Sequence, residues 1–143
     1  GIAGVATAGI PQGVLVADAL NLPFCYVRPK PKGHGMENLI ECHVESGQRV
    51  MVVEDLVSTG GSSLKAVQAL RDQGVDVVGM VSIFNYGFDV AAKNFKEANV
   101  TLVSLSDYEH LIAYANTQGS LTESQLNSLR EWRSDPANWK SRG

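Results

Sequence analysis

Short, unbroken apolar runs alternate with helix-period segments along most of the chain, and this alternation limits the fold more than any other feature. Ile2 to Val5 (the end of a strand), Phe24 to Val27, Val50 to Val53, Val77 to Phe84 and Val100 to Leu105 read as strands. Val50 to Val53 is uninterrupted in apolar character, as a strand buried on both faces is. Helices are predicted from about Pro11 to Leu20, with Asn21 as the stop, and from about Ser63 to Gln73, with Leu64, Val67 and Leu70 on one face and Gly74 as the stop. A third runs from Asp89 to Ala98. Capping-box pairs, Ser106 with Glu109 and Thr122 with Gln125, open helices near Asp107–Thr117 and Glu123–Trp132. A chain written this way is α/β with a mainly parallel sheet.

Length and charge narrow the class. The 143 residues predict one domain, 1–143, large enough to bury an ordinary core. Hydrophobic residues make up 44% and charged residues 19%, the balance of a globular chain. The net charge of -3 argues against a general nucleic-acid binder. No apolar run approaches the ~20 residues of a membrane span, and no signal peptide is evident, so a cytoplasmic location is expected. The two cysteines, Cys25 and Cys42, have neither metal spacing nor a disulfide framework, which suits a reducing compartment. The opening GIAGVATAGIPQG begins on strand-like residues with no initiator Met, which predicts a missing N-terminal segment.

Two stretches do not serve the core. Arg28 to Glu41, RPKPKGHGMENLIE, has no apolar period and is rich in Pro, Gly and charge. A loop of that length tends to be functional or mobile. The second stretch is VMVVEDLVSTGGSSLKAV, Val50 to Val67. It leaves an apolar strand through Glu54 and Asp55 and then passes through a turn of hydroxyls and glycines. Backbone N–H groups from Thr59 to Ser63, at the start of a helix, can surround an anion, with no steric penalty at Gly60 and Gly61. The Walker pattern G-x-x-x-x-G-K-[ST] does not occur there. Glu54 and Asp55 would repel a bare polyphosphate but would accept hydrogen bonds from sugar hydroxyls. A sugar phosphate satisfies both halves of the motif.

The stretch VMVVEDLVSTGGSS resembles the phosphoribosyl pyrophosphate signature of the type I phosphoribosyltransferases. Together with GVATAGIPQG, YVRPKPKGHG and the C-terminal LREWRSDPANW, it is similar to the orotate phosphoribosyltransferases in particular, over nearly the whole chain. The resemblance implies a mainly parallel, twisted sheet flanked by helices, with an incomplete hood. It assigns Glu54 and Asp55 to the ribose hydroxyls. Leu56, Val57, Ser58, Thr59, Gly60, Gly61 and Ser62 would form the 5-phosphate loop, and Ser58 would also touch orotate. Thr7 and Ala8, within the turn Ala6 to Gly9, would belong to the pyrophosphate loop. Arg28, Lys32 and His34, on a mobile loop of about 28–41, would bind the pyrophosphate and close over the reaction. Lys32, His34 and Asp55 are the catalytic candidates. Mg²⁺ would be held mainly by the substrate. The loop would reach into the neighbouring subunit of a homodimer.

This sequence departs from the family pattern in three places. Thr7-Ala8 stands where some members carry a Lys in the pyrophosphate loop. FNYGFD stands where some carry an Arg for orotate, which leaves the backbone near Phe84–Gly87 to contact the base. The family's N-terminal helix and strand, with a Lys near the base, are not in this sequence. The implied reaction is transfer of the phosphoribosyl group to orotate. A purine phosphoribosyltransferase is a second reading, which RPKPKGHG argues against. A non-catalytic sensor of phosphoribosyl pyrophosphate is a third. Cys25 reads as a buried small hydrophobe, and neither Cys42 nor His43 has ligand spacing. His110 reads as a surface or packing residue, and Trp132 and Trp139 as packing for the C-terminal helix.

Overall fold

The computed structural model describes residues 1–28 and 39–140. Along the chain the elements are β1 (Ile2–Val5), α1 (Gly9–Leu20), β2 (Phe24–Val27), β3 (Ile40–Glu41), β4 (Arg49–Val57) and α2 (Gly61–Asp72). They continue as β5 (Asp76–Asn85), α3 (Asp89–Glu97), β6 (Leu102–Asp107), α4 (Tyr108–Thr117) and α5 (Glu123–Ser134). The strands form one sheet in the order β3-β2-β1-β4-β5-β6. Every neighbouring pair is parallel except β2–β3. The expected α/β class with a mainly parallel sheet is the observed one.

Residues 1–107 form one compact unit. Its core follows from the alternation of side chains along the strands. Val50 and Val52 join Val67 and Leu70 of α2 and Ala91 and Phe95 of α3 in the larger cluster. Val53 turns the other way, onto Ile2 and Ala17 of α1. Helices therefore lie on both faces of the sheet at β1 and β4, which explains the apolar runs there, whereas β6 leaves Val103 and Leu105 exposed. α1 lies close because Gly4, Gly9 and Gly13 have no side chains. A Cβ on Gly9 would stand 2.7 Å from the Val53 carbonyl, and one on Gly13 would stand 2.7 Å from the Phe24 ring.

The remaining unit, residues 108–143, contains α4 and α5. The capping box opening α5 is present: Thr122 Oγ1 accepts from the Gln125 N–H at 3.3 Å, and Gln125 Oε1 accepts from the Thr122 N–H at 2.9 Å. Tyr108 packs on Trp132 with ring centroids 5.3 Å apart, and its hydroxyl donates to the Leu129 carbonyl at 3.2 Å.

Several boundaries differ from the sequence expectation. β4 continues through Glu54 and Asp55 to Val57, because Glu54 pairs with Ser82, Leu56 with Phe84 and Val57 with Asn85 in the ladder with β5. The end of the expected loop 28–41 is strand: Ile40 pairs with Val27 and Glu41 with Tyr26. The Arg28–Glu41 ion pair at 2.9 Å closes the same two strands. α1 begins at Gly9 rather than near Pro11. Ser106 belongs to β6, in register with Phe84, and α4 starts at Tyr108, so Ser106 stands one residue short of the cap position.

Candidate functional site

In the strand order, β1 sits between β2, which follows it in the chain, and β4, whose successor β5 lies on the opposite side. The direction of winding reverses between β1 and β4, and such reversals open a crevice at the carboxyl ends of parallel strands. A cleft of about 880 Å³ lies there. Val5, Ala6, Thr7 and Ala8 line it from the end of β1, and Glu54, Asp55 and Leu56 from β4. α2 contributes Gly61, Ser62 and Lys65, with Gln68 and Asp72 further along the same helical face. Arg28 and Leu39, with Ala66 and Ala69 of α2, complete the described lining.

The two acids are not equivalent. Glu54 is 5% exposed, whereas Asp55 is half-buried. The Glu54 carboxyl accepts the Ser63 hydroxyl at 2.9 Å on Oε2 and the Asp55 backbone N–H at 3.1 Å on Oε1. Burial, and then the hydrogen-bonded side chain of Asp55, push its pKa up to about 7. The Ser63 hydroxyl and the Asp55 N–H oppose that rise by stabilising the charged form. Near neutral pH, Glu54 can therefore exchange a proton at the floor of the cleft.

The turn after β4 is shorter than the sequence suggested, since Leu56 and Val57 are strand and Gly61 and Ser62 already helix. Gly60 carries the conformational demand. It caps α2 at φ 82°, and a Cβ there would meet the buried Phe95 ring at 2.7 Å. At Gly61 the nearest atom to an added Cβ is Thr59 Oγ1 at 3.8 Å, so that position is open. Asn94 of α3 donates to the Thr59 carbonyl at 3.0 Å and tethers the turn from the opposite side to the cleft lining. No acid stands in the first turn of α2, which leaves its partly positive N-terminal end without an acidic side chain of its own.

Of the residues singled out from the sequence, Thr7, Ala8, Arg28, Glu54, Asp55, Leu56, Gly61 and Ser62 share this cleft. Val57, Ser58, Thr59 and Gly60 are not in its lining, and Val57 is buried in the core. Lys32 and His34 lie outside the described residues. The Arg28 guanidinium, half-buried, already pairs with Glu41. Lys65 has no role in the sequence expectation, and Ser63 enters it only through its backbone N–H, not through the hydroxyl that holds Glu54. The spacing Gly61, Ser62, Lys65, Gln68, Asp72 marks one face of a helix beginning at Gly61, and a start placed at Ser63 hid it.

Cys25 is buried, and burial together with the adjacent Cys42 thiol pushes its pKa up to about 12, as befits an inert core thiol. Among the described residues no three His, Cys, Asp or Glu side chains converge as a metal cage. The carboxylates facing the cleft, with Asp55 foremost, suit a hard cation that takes most of its ligands from a bound substrate and water.

A family model for the phosphoribosyl transferase domain matches residues 2–114. The chain is 58% identical over 139 residues to the orotate phosphoribosyltransferase of Cytophaga hutchinsonii, covering 97% of this chain and 66% of that one. To the orotate phosphoribosyltransferase of Streptococcus agalactiae it is 51% identical over 140 residues, covering 98% and 67%. The solved orotate phosphoribosyltransferase from Aeropyrum pernix superposes with a TM-score of 0.72 at 32% identity, over 85% of this chain and 66% of that one. The chain thus spans 66% of the length of the Cytophaga hutchinsonii relative, just under two thirds.

Proposed function

This chain belongs to the phosphoribosyl transferase domain family, and from that premise we propose that it carries the site for transfer of a 5-phosphoribosyl group from phosphoribosyl pyrophosphate to orotate. The products are orotidine 5′-phosphate and pyrophosphate, a step of pyrimidine nucleotide biosynthesis. The observation that carries the reading is the cleft at the winding reversal, which an acid pair near the end of β4 shares with the acid-free N-terminus of α2. The identity to proteins named orotate phosphoribosyltransferase supports orotate as the acceptor.

In this reading the 5-phosphate rests on the N–H groups and hydroxyls of the turn from Ser58 to Ser62 and on the N-terminus of α2. Asp55, with Glu54 beneath it, accepts the ribose hydroxyls. This orients the anomeric carbon and places negative charge beside the ribosyl cation that develops as the C–O bond breaks. Thr7 and Ala8 receive the pyrophosphate at the end of β1, and Ser58 reaches orotate. Arg28, Lys32 and His34 are assigned to the pyrophosphate by the family pattern. Lys32 and His34 would neutralise or protonate it as it leaves. Lys65, which faces the same cleft, adds a cation that the sequence reading had not included. Mg²⁺ bound to the substrate supplies further neutralisation of the leaving group. The proposal includes a homodimer in which residues near 28–41 serve the neighbouring site, and a cytoplasmic location. No helix among the described residues is long and apolar enough to cross a membrane.

The deciding assay follows the loss of orotate absorbance in the presence of Mg²⁺ and phosphoribosyl pyrophosphate. It is run on 1–143 and on the same chain joined to the remaining third of a relative. Turnover in either form supports the reading. Adenine consumed in place of orotate would move the chain to the purine class. Binding of phosphoribosyl pyrophosphate without turnover of any base in either form would favour a sensor.

A further inference from the structure

Ser63 is 1% exposed and lies on the first turn of α2, immediately beyond the residues that line the cleft. Its hydroxyl is directed into the protein, onto Glu54 Oε2 at 2.9 Å. The other oxygen of that carboxyl holds the Asp55 N–H at 3.1 Å. Gly9 packs over the same oxygen: a Cβ on Gly9 would lie 3.5 Å from Glu54 Oε1 and 3.4 Å from Glu54 Cα. One buried carboxyl therefore hydrogen-bonds to β4 and to the start of α2, and the start of α1 comes close beside it because Gly9 has no side chain.

We propose that Ser63 is a positioning residue for phosphoribosyl pyrophosphate, acting through Glu54: its hydrogen bond turns the Glu54 carboxyl into an internal brace that sets the α2 N-terminus against β4 and leaves Asp55 as the acid presented to the ligand. The inference rests on the functional reading above and deepens it by dividing the acid pair into a brace and a ligand. A buried carboxyl needs donors to remain in place, and the Ser63 hydroxyl is the side-chain donor supplied from α2. Without it, Oε2 loses the donor that holds it towards α2, and any turn of the carboxyl towards the cleft that Glu54 lines would set its charge against the substrate phosphates. Gly61 and Ser62, in the same first turn of α2 as Ser63, would lose their fixed distance from Asp55.

The test is a double-mutant cycle on the affinity for Mg²⁺-loaded phosphoribosyl pyrophosphate, measured by calorimetry in Ser63→Ala, Glu54→Ala and the double variant. Steady-state kinetics are recorded beside it on the chain form active in the assay above. Ser63→Ala should weaken binding about tenfold, the usual scale for a hydrogen bond to a charged group. KM should rise by a similar factor, and kcat should fall less than about threefold, because the brace serves bound substrate and transition state alike. In the Glu54→Ala background, Ser63→Ala should add nothing, since there is no carboxyl left to hold. Ser63→Cys, which keeps the size and a weak donor, should recover part of the affinity. Unchanged affinity in Ser63→Ala, or effects that simply add in the double variant, would overturn the inference while leaving the functional reading intact. If the unsubstituted chain does not bind phosphoribosyl pyrophosphate at all, the functional reading falls and the inference with it.

Discussion

Two neighbouring strands of the sheet end in very different ways. β4 and β5 are parallel, hydrogen-bonded partners, and each runs through a short turn into a helix. Both turns contain a glycine at positive φ, Gly60 at 82° and Gly87 at 62°, and neither helix start has a side-chain cap. Near its C-terminal end β4 nevertheless carries two carboxylates, whereas aromatic rings cluster at the end of β5 and in the turn after it. Tyr86 stacks on Phe88 with centroids 5.4 Å apart and meets Phe84 edge-on at the same distance. α3 also carries Asp89 in its first turn, whereas α2 has no acid there. The N-terminal end of α3 is thus complemented by an acid of its own, and that of α2 has none in its first turn. Topology supplies an anion-binding geometry at every such turn, and the choice of side chain decides which turn keeps it free.

The largest way to break the comparison is Gly60→Val. A β-branched residue at φ 82° would carry both backbone strain and a clash with Phe95, together roughly 3–4 kcal/mol of lost stability. Urea unfolding of the two proteins measures the difference. Gly61→Ala, at an open position, should cost far less.

Next in size is the pH dependence created by burying Glu54. Its folded pKa is raised from 4.5 to about 7. Below pH 4.5 both folded and unfolded chains hold the proton. Between 4.5 and 7 the unfolded chain releases it while the folded chain retains it, so stability falls as pH rises across this window. The total loss is roughly 3 kcal/mol above pH 7. Glu54→Gln lacks this slope, and its melting temperature should gain on the unsubstituted protein from pH 5 to pH 8. A constant difference across that range would mean that Glu54 titrates normally.

Asp55→Asn leaves the core untouched and should weaken phosphoribosyl pyrophosphate binding about 10- to 100-fold, the equivalent of one charged hydrogen bond, with little change in unfolding. Ser62→Asp makes α2 imitate α3. The helix end gains a favourable charge, and calorimetry should show affinity for the phosphate-bearing ligand falling at least about tenfold through like-charge repulsion. The smallest effect belongs to the reverse change: Asp89→Asn should cost about 0.3–1 kcal/mol of stability and leave ligand affinity unaltered. A large loss of affinity from Asp89→Asn would erase the distinction between the two turns.

Much of this architecture is legible in the chain itself. Strands β1 and β2 fall where the apolar runs predicted them: β1 is buried throughout, and β2 buries Cys25 and Val27 on one face. The stop at Asn21 is a left-handed residue at φ 51°, and the Thr122–Gln125 box is local chemistry that needs no distant partner. The acid pair and the glycine turn stand out as a candidate site for the same reason: the pattern is contiguous. What the tertiary structure alone decided is where those groups face. Leu56 and Val57 looked like loop because they follow two acids, yet ladder pairing with Phe84 and Asn85 keeps them in β4. Ile40 and Glu41 became a strand only because β2 offered an edge. Glu54 and Asp55 are adjacent and chemically alike. One is nevertheless a buried carboxyl with a pKa near 7 and the other a half-exposed wall of the cleft, since Ser63 and Gly9 converge on Glu54 from two different helices. Local sequence determines which groups are available and how the chain turns around them. Burial and partnership depend on residues distant in the chain, and these set the charge and the direction of each acid.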